Sequence, residues 1–202
     1  MRRQYLILAI AAVGAVWQYS QIPGHVQLGA GVTVPQAPEQ LPLDQAQSFK
    51  MNNFEVTPLA SYRLTAKLLG REHYRWDGQA EVAPVDLAVA WGPLSDESAL
   101  ALIDFDHRSR WLFWNPGESP LSNEVIGLYT ANVHIIPADD SILKTIKQAR
   151  IGDVVAFSGA LVRVDGAGGW SWKSSLSRND TGNGACELMW VDHFEILTAH
   201  ID

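Results

Sequence analysis

Between Tyr62 and Leu68, apolar residues alternate with polar ones: Tyr62, Leu64, Ala66 and Leu68 fall between Arg63, Thr65 and Lys67. This period of two predicts a strand with one buried face. Val85, Leu87, Val89 and Trp91 repeat the pattern, with Asp86 on the other face and Gly92-Pro93 ending the run. Arg110 to Trp114 reads as another strand, closed by the turn tripeptide Asn115-Pro116-Gly117. Val154 to Val164 is apolar on both faces, as a central strand is. Gly166 to Gly169 offers a hairpin loop before Trp170 to Arg178, and a last strand from Ala185 to about Leu197 sets Cys186, Leu188 and Trp190 on one face. One helix is clear. Asp139 can cap a segment in which Ile142, Ile146 and Ala149 share a face, with acidic residues in its first turn and Lys144, Lys147 and Arg150 near its end.

These elements predict a mainly β (α+β) domain over residues 53–202, a curled antiparallel sheet or a partly open small barrel, oligonucleotide-fold-like, with one mid-chain helix. The N-terminus has a different character. Met1-Arg2-Arg3 precedes an apolar stretch from Tyr5 to Trp17, and no acidic residue occurs before Glu39. Residues 1–20 therefore read as a signal-anchor or a signal peptide: the short core suits a cleaved signal, while Trp17 and Tyr19 suit the interface belt of an anchor. Residues 21–52 contain four prolines, six glutamines and only three charged residues, which predicts a linker. The alternative is an arm packed on the domain through Val32, Val34, Leu41 and Leu43.

Charge and motifs narrow the function. With Arg2 and Arg3 set aside, 13 basic residues face 22 acidic ones, a net charge of −9, which argues against a nucleic-acid partner. A single cysteine, Cys186, excludes an intrachain disulfide and a Cys-rich zinc site, and the six histidines lack HxH or HExxH spacing, so no metal or cofactor is expected. No P-loop, GxGxxG or GxSxG motif occurs.

Several polar residues stand out as candidates. Asn132 and His134 lie two apart on an extended stretch, so their side chains share a face and can converge on a ligand. Arg178, Asp180, Thr181 and Glu187 surround the Gly-rich reversal Arg178-Asn179-Asp180-Thr181-Gly182-Asn183-Gly184, which suits an anion site or a structural turn held by its own polar contacts. Cys186 is a nucleophile candidate with His134 or His193 as base, although Leu188 and Trp190 set it on an apolar face. His107, beside Asp104 and Asp106, reads as part of a solvated turn. The pairs Trp111 with Phe113 and Trp170 with Trp172 suit core packing or a stacking platform.

The segments Ala131-Asn132-Val133-His134-Ile135-Ile136-Pro137-Ala138 and Ser175 to Glu187 resemble those of an uncharacterised family of small bacterial envelope proteins with an N-terminal hydrophobic leader. The resemblance spans about Phe54 to Leu197 and implies envelope localisation without implying a reaction. The leading expectation is a membrane-anchored envelope module, single-pass in the bacterial inner membrane with its domain in the periplasm, that binds a protein, peptide or glycan. Secretion to the periplasm after signal cleavage is the alternative location. The alternative function is a small hydrolase or transferase with a His134/Arg178/Asp180 site.

Overall fold

The computed structural model describes residues 24–177 and 186–200. Its core is the expected curled, mainly β sheet, and the sheet closes on itself. The longest strand, β3 (Phe54–His73), pairs antiparallel with β4 (Val85–Ala90), and β4 pairs antiparallel with β7 (Thr130–Pro137). β7 lies parallel to β10 (Glu187–Ile196), which pairs antiparallel with β8 (Val154–Asp165). β8 returns to β3 along twelve residue pairs from Glu55↔Asp165 to Lys67↔Val154, completing a ring of five strands. β8 has a partner on each edge, as a central strand does, while its outer face is half-buried around residues 158–160 and exposed at Arg163. Two register shifts bend β3, one between Pro58 and Ala60, where a proline without an N–H is tolerated, and one between Leu68 and Gly70.

The residues picked out by their period of two fill the ring. Tyr62, Leu64, Ala66 and Leu68 meet Val85, Leu87, Val89, Val133, Ile135, Phe157 and Met189 in one core. The expected helix is α3 (Asp140–Gln148), numbered after two short helices, α1 (Glu97–Leu100) and α2 (Asn123–Leu128). Asp139 Oδ1 caps α3 by accepting from the N–H groups of Ser141 (2.7 Å) and Ile142 (3.0 Å). Its Ile146 and Ala149 are buried in the same core. At its C-terminus Arg71 donates from Nη1 to the carbonyls of Ile146, Lys147 and Ala149, satisfying acceptors that the last turn leaves open.

The stretch expected to be a linker differs from that expectation over residues 24–51, where it runs as an arm on the domain. β1 (Glu39–Pro42) and β2 (Phe49–Met51) both pair with β3. Upstream, Val34 is 1% exposed, its carbonyl accepts from Gly92 N at 2.7 Å, and Ser95 Oγ bonds its N–H and that of Thr33. Backbone contacts, buried Val34 and half-buried Leu28, Phe49 and Met51 hold the arm, while Val32 and Leu41 stay exposed. Beneath the arm, Lys67, 1% exposed, pairs with Glu97 at 2.6 Å. Among the described residues no helix is long and apolar enough to cross a membrane; residues 1–23 lie outside them.

Gly152 fixes where the arm meets the ring. Its φ is +90°, and a Cβ there would stand 1.8 Å from the Val26 carbonyl oxygen, beside the Val26 N to Ile151 O bond of 2.8 Å. Gly152→Ala should therefore destabilise the domain by about 1–3 kcal/mol and free the arm, seen as faster proteolytic cleavage within residues 24–34. An unchanged cleavage rate would show that the arm is held elsewhere.

Candidate functional site

All six residues of β4 are buried, although only Val85, Leu87 and Val89 face the ring interior. Asp86 points outward, as its place in the alternation requires, but that face is not solvated. A two-stranded hairpin covers it, β5 (Asp104–Arg108) and β6 (Trp111–Asn115), joined by Ser109 and Arg110 at φ +50° and +67°. Positive φ at both central residues gives the tight reversal that matches strand twist, and it costs energy for residues other than Gly, Asn or Asp.

Arg110 is held there by its side chain. Its Nε and Nη2 donate to the two oxygens of Asp77 (3.0 and 2.8 Å), Nη1 donates to Asp86 Oδ1 (3.1 Å) and Nη2 to the Ala83 carbonyl (3.1 Å). The guanidinium lies 3.9 Å from the centre of the Tyr74 ring, whose hydroxyl accepts from Arg110 N. The hydrogen bonds from Arg110 hold Asp77 below the usual carboxylate range, and burial, reinforced by the Asp86 charge, pushes Tyr74 up to about 12.

Asp86 has no exposed surface, and its Oδ1 serves two partners: Arg110 and His134, whose Nδ1 lies 2.9 Å away. The His134 contact is off the line of a hydrogen bond, and Asp86 Oδ2 has no hydrogen-bond partner among the described residues. A bare imidazole lone pair so close to a carboxylate would be repelled, so in neutral His134 the proton sits on Nδ1 and the lone pair on Nε2.

A second pair braces the same face. Asn132 Nδ2 donates to the Arg110 carbonyl (2.8 Å), which leaves Oδ1 to accept from His107 Nε2 (2.9 Å). His107 Nδ1 is then a sealed lone pair without a hydrogen-bond partner among the described residues, and burial holds His107 below the ordinary histidine value. Gly70, at the bulge of β3, makes the seat: a Cβ there would stand 2.7 Å from His107 Nδ1. The solvated turn expected around His107 is corrected accordingly. Asp104 and Asp106 face water, whereas His107, one residue later, faces inward.

His134, Arg110 and Cys186 open on one cavity of about 300 Å³, walled also by Gln79, Ser109, Trp111, Trp172 and Lys173. Trp172, beyond β8 in β9 (Ser171–Lys173), sets its ring 4.8 Å from that of His134. Cys186 is half-buried, with Asn132 Nδ2 3.8 Å from Sγ. The burial expected from its neighbour Leu188 is thus only partial.

Of the candidates read from the sequence, Asn132, His134 and Cys186 come together. Glu187 is buried but pairs in register with inward-facing Val133, so it sits on the other face of the sheet. Arg178, Asp180 and Thr181 lie outside the described residues. Of the tryptophan pairs, Trp111 and Trp172 reach the cavity, whereas Phe113 is exposed under Arg108. Asp86, Arg110, Asp77 and Tyr74 join the site from outside these candidates. Their signal was faint: a carboxylate inside an apolar run, and an arginine at a reversal. Among the described residues no group of three His, Cys, Asp or Glu side chains is placed to hold a metal. No family model, curated protein or solved structure matches the chain.

Two outcomes test this network. Arg110→Met should cost about 3–5 kcal/mol in urea unfolding, because it strands a buried carboxylate, and adding Asp86→Leu should recover much of the loss. No recovery would mean that packing and not charge holds the hairpin. His107 binds a proton less readily folded than unfolded, so its contribution is complete above the unfolded value of about 6.5 and declines as pH falls below it. His107→Gln should then flatten the loss of stability between pH 7.5 and 5, and an unaltered slope would contradict the burial of this ring.

Proposed function

We propose that this protein is an envelope binding module, tethered to the membrane by residues 1–20, whose exported domain binds a small polar ligand, a saccharide or the sugar-bearing end of an envelope polymer. The observation that carries the reading is the position of the cavity. Counting the ring strands in chain order, the first pairs with the second, the second with the third, the third runs parallel to the fifth, and the fourth closes on the first. A helix stands between the third and fourth. This order supports an oligonucleotide/oligosaccharide-fold-like arrangement, in which the face of strands two and three and the loops after strands one and four receive the ligand. The cavity is lined from those parts: Gln79 follows the first strand, His134 is on the third, and Trp172, Lys173 and Cys186 follow the fourth.

The wall chemistry favours a sugar over a base. Two indoles line the wall beside amide, hydroxyl, imidazole, guanidinium and ammonium groups, and the net charge of −9 beyond Arg3 repels a polyanion. The cationic start, the apolar leader and the lack of basic residues between Arg3 and Lys50 support export of the domain. A thermal-shift screen of the full chain in detergent against neutral and amino sugars and peptidoglycan fragments should find a stabilising ligand. Trp172→Ala should remove that shift, and Lys144→Ala on exposed α3 should leave it intact. A ligand shift that survives Trp172→Ala would place binding elsewhere.

A further inference from the structure

We infer that Cys186 is a nucleophile served by His134, with Asp86 as the residue that positions the imidazole. The inference rests on the cavity admitting a ligand and adds chemistry to it. Three observations carry it. Cys186 and His134 line the same cavity: His134 is on β7, Leu188 of the parallel β10 stands level with it, and Cys186 precedes β10 by one residue, on the Asn132 side of His134. His134 is 5% exposed, and the charge of Asp86, 2.9 Å from Nδ1 though off the line of a hydrogen bond, favours the proton on Nδ1 and leaves the lone pair on Nε2. The charge behind the imidazole is fixed too, since Arg110, itself held by Asp77, anchors Asp86. A carboxylate on Nδ1, a basic Nε2 and a thiol on one side of a cavity form the arrangement that acyl transfer through sulfur uses. Asn132 completes it, with an amide nitrogen 3.8 Å from Sγ.

The substrate class is an acyl donor small enough for the cavity. His134 Nε2 takes the thiol proton as Sγ attacks the carbonyl carbon. The new C–S bond forms, the bond to the leaving group breaks, and His134 returns the proton to that group. Water then attacks the thioester with His134 as base, releasing the acid and restoring the thiol.

The test uses the full chain in detergent and two probes. Iodoacetamide alkylation of Cys186, followed by intact mass across pH 5.5–9, should at pH 6.5 run about tenfold or more faster than for N-acetylcysteine, and should lose that advantage in His134→Gln. 4-Nitrophenyl acetate should leave one acetyl group on Cys186 in acid-quenched samples and none in Cys186→Ser. Far-ultraviolet circular dichroism checks that His134→Gln folds; should it not, the wild-type profile against N-acetylcysteine decides alone. Alkylation that follows an ordinary thiol, or that is unchanged in folded His134→Gln, overturns the inference, and a missing acetyl adduct overturns the acyl assignment. Sugar binding beside an ordinary thiol would sink this inference alone, whereas fast acylation without any sugar-induced shift would sink the sugar reading alone.

Discussion

A carboxylate without accessible surface must be matched by charge and hydrogen bonds, and Asp86 imposes that requirement on the whole outer face of the ring. Arg110 meets it, and to do so the β5–β6 hairpin must fold over β4 and β7, turning through two residues in a left-handed conformation. Once the hairpin is down, Asn132 is enclosed between the Arg110 carbonyl and His107, and β3 must carry glycine at position 70 to make room. The cavity is what remains between this braced face and the loops that follow β3 and β8. Of its lining, His134 belongs to β7, and Cys186 stands one residue before β10.

The same carboxylate connects stability with chemistry. Oδ1 is shared between a guanidinium and an imidazole, so whatever anchors the hairpin also orients His134. Binding of a ligand and reaction at the thiol would use the same wall, since Trp172 packs on the His134 ring. The larger space of about 540 Å³ between the arm and the ring lacks this organisation: its charged groups, Lys67 and Glu97, satisfy one another, and the rest of its wall is mainly apolar.

Much of the ring was legible because it follows from periodicity. Tyr62 to Leu68 and Val85 to Trp91 show their inward faces, the two-sided apolarity of Val154 to Val164 marks it as central, and Asp139 announces its helix. The closing pair β3–β8 was not legible, since nothing local in either strand specifies a partner some hundred residues away. Composition misled at the arm, where proline and glutamine suggested a spacer while Val34, Leu28, Phe49, Met51 and backbone bonds decide the outcome. At the site, the shared face of Asn132 and His134 was visible from their spacing. Their partners were not, because a buried ion pair joins residues 24 apart that look ordinary singly. His107 looked solvated among its acidic neighbours for the same reason: the covering of its face is a tertiary fact.

The account turns on the proton of His134, and long-range ¹H–¹⁵N correlation of the imidazole rings, assigned with His134→Gln, reads it directly. At neutral pH the account predicts that His134 is the Nδ1–H tautomer, with an unprotonated Nε2 whose shift moves when Cys186 is alkylated. An Nε2–H tautomer, or a ring that exchanges freely between the two forms, would contradict the claim that Asp86 orients this histidine toward the cavity.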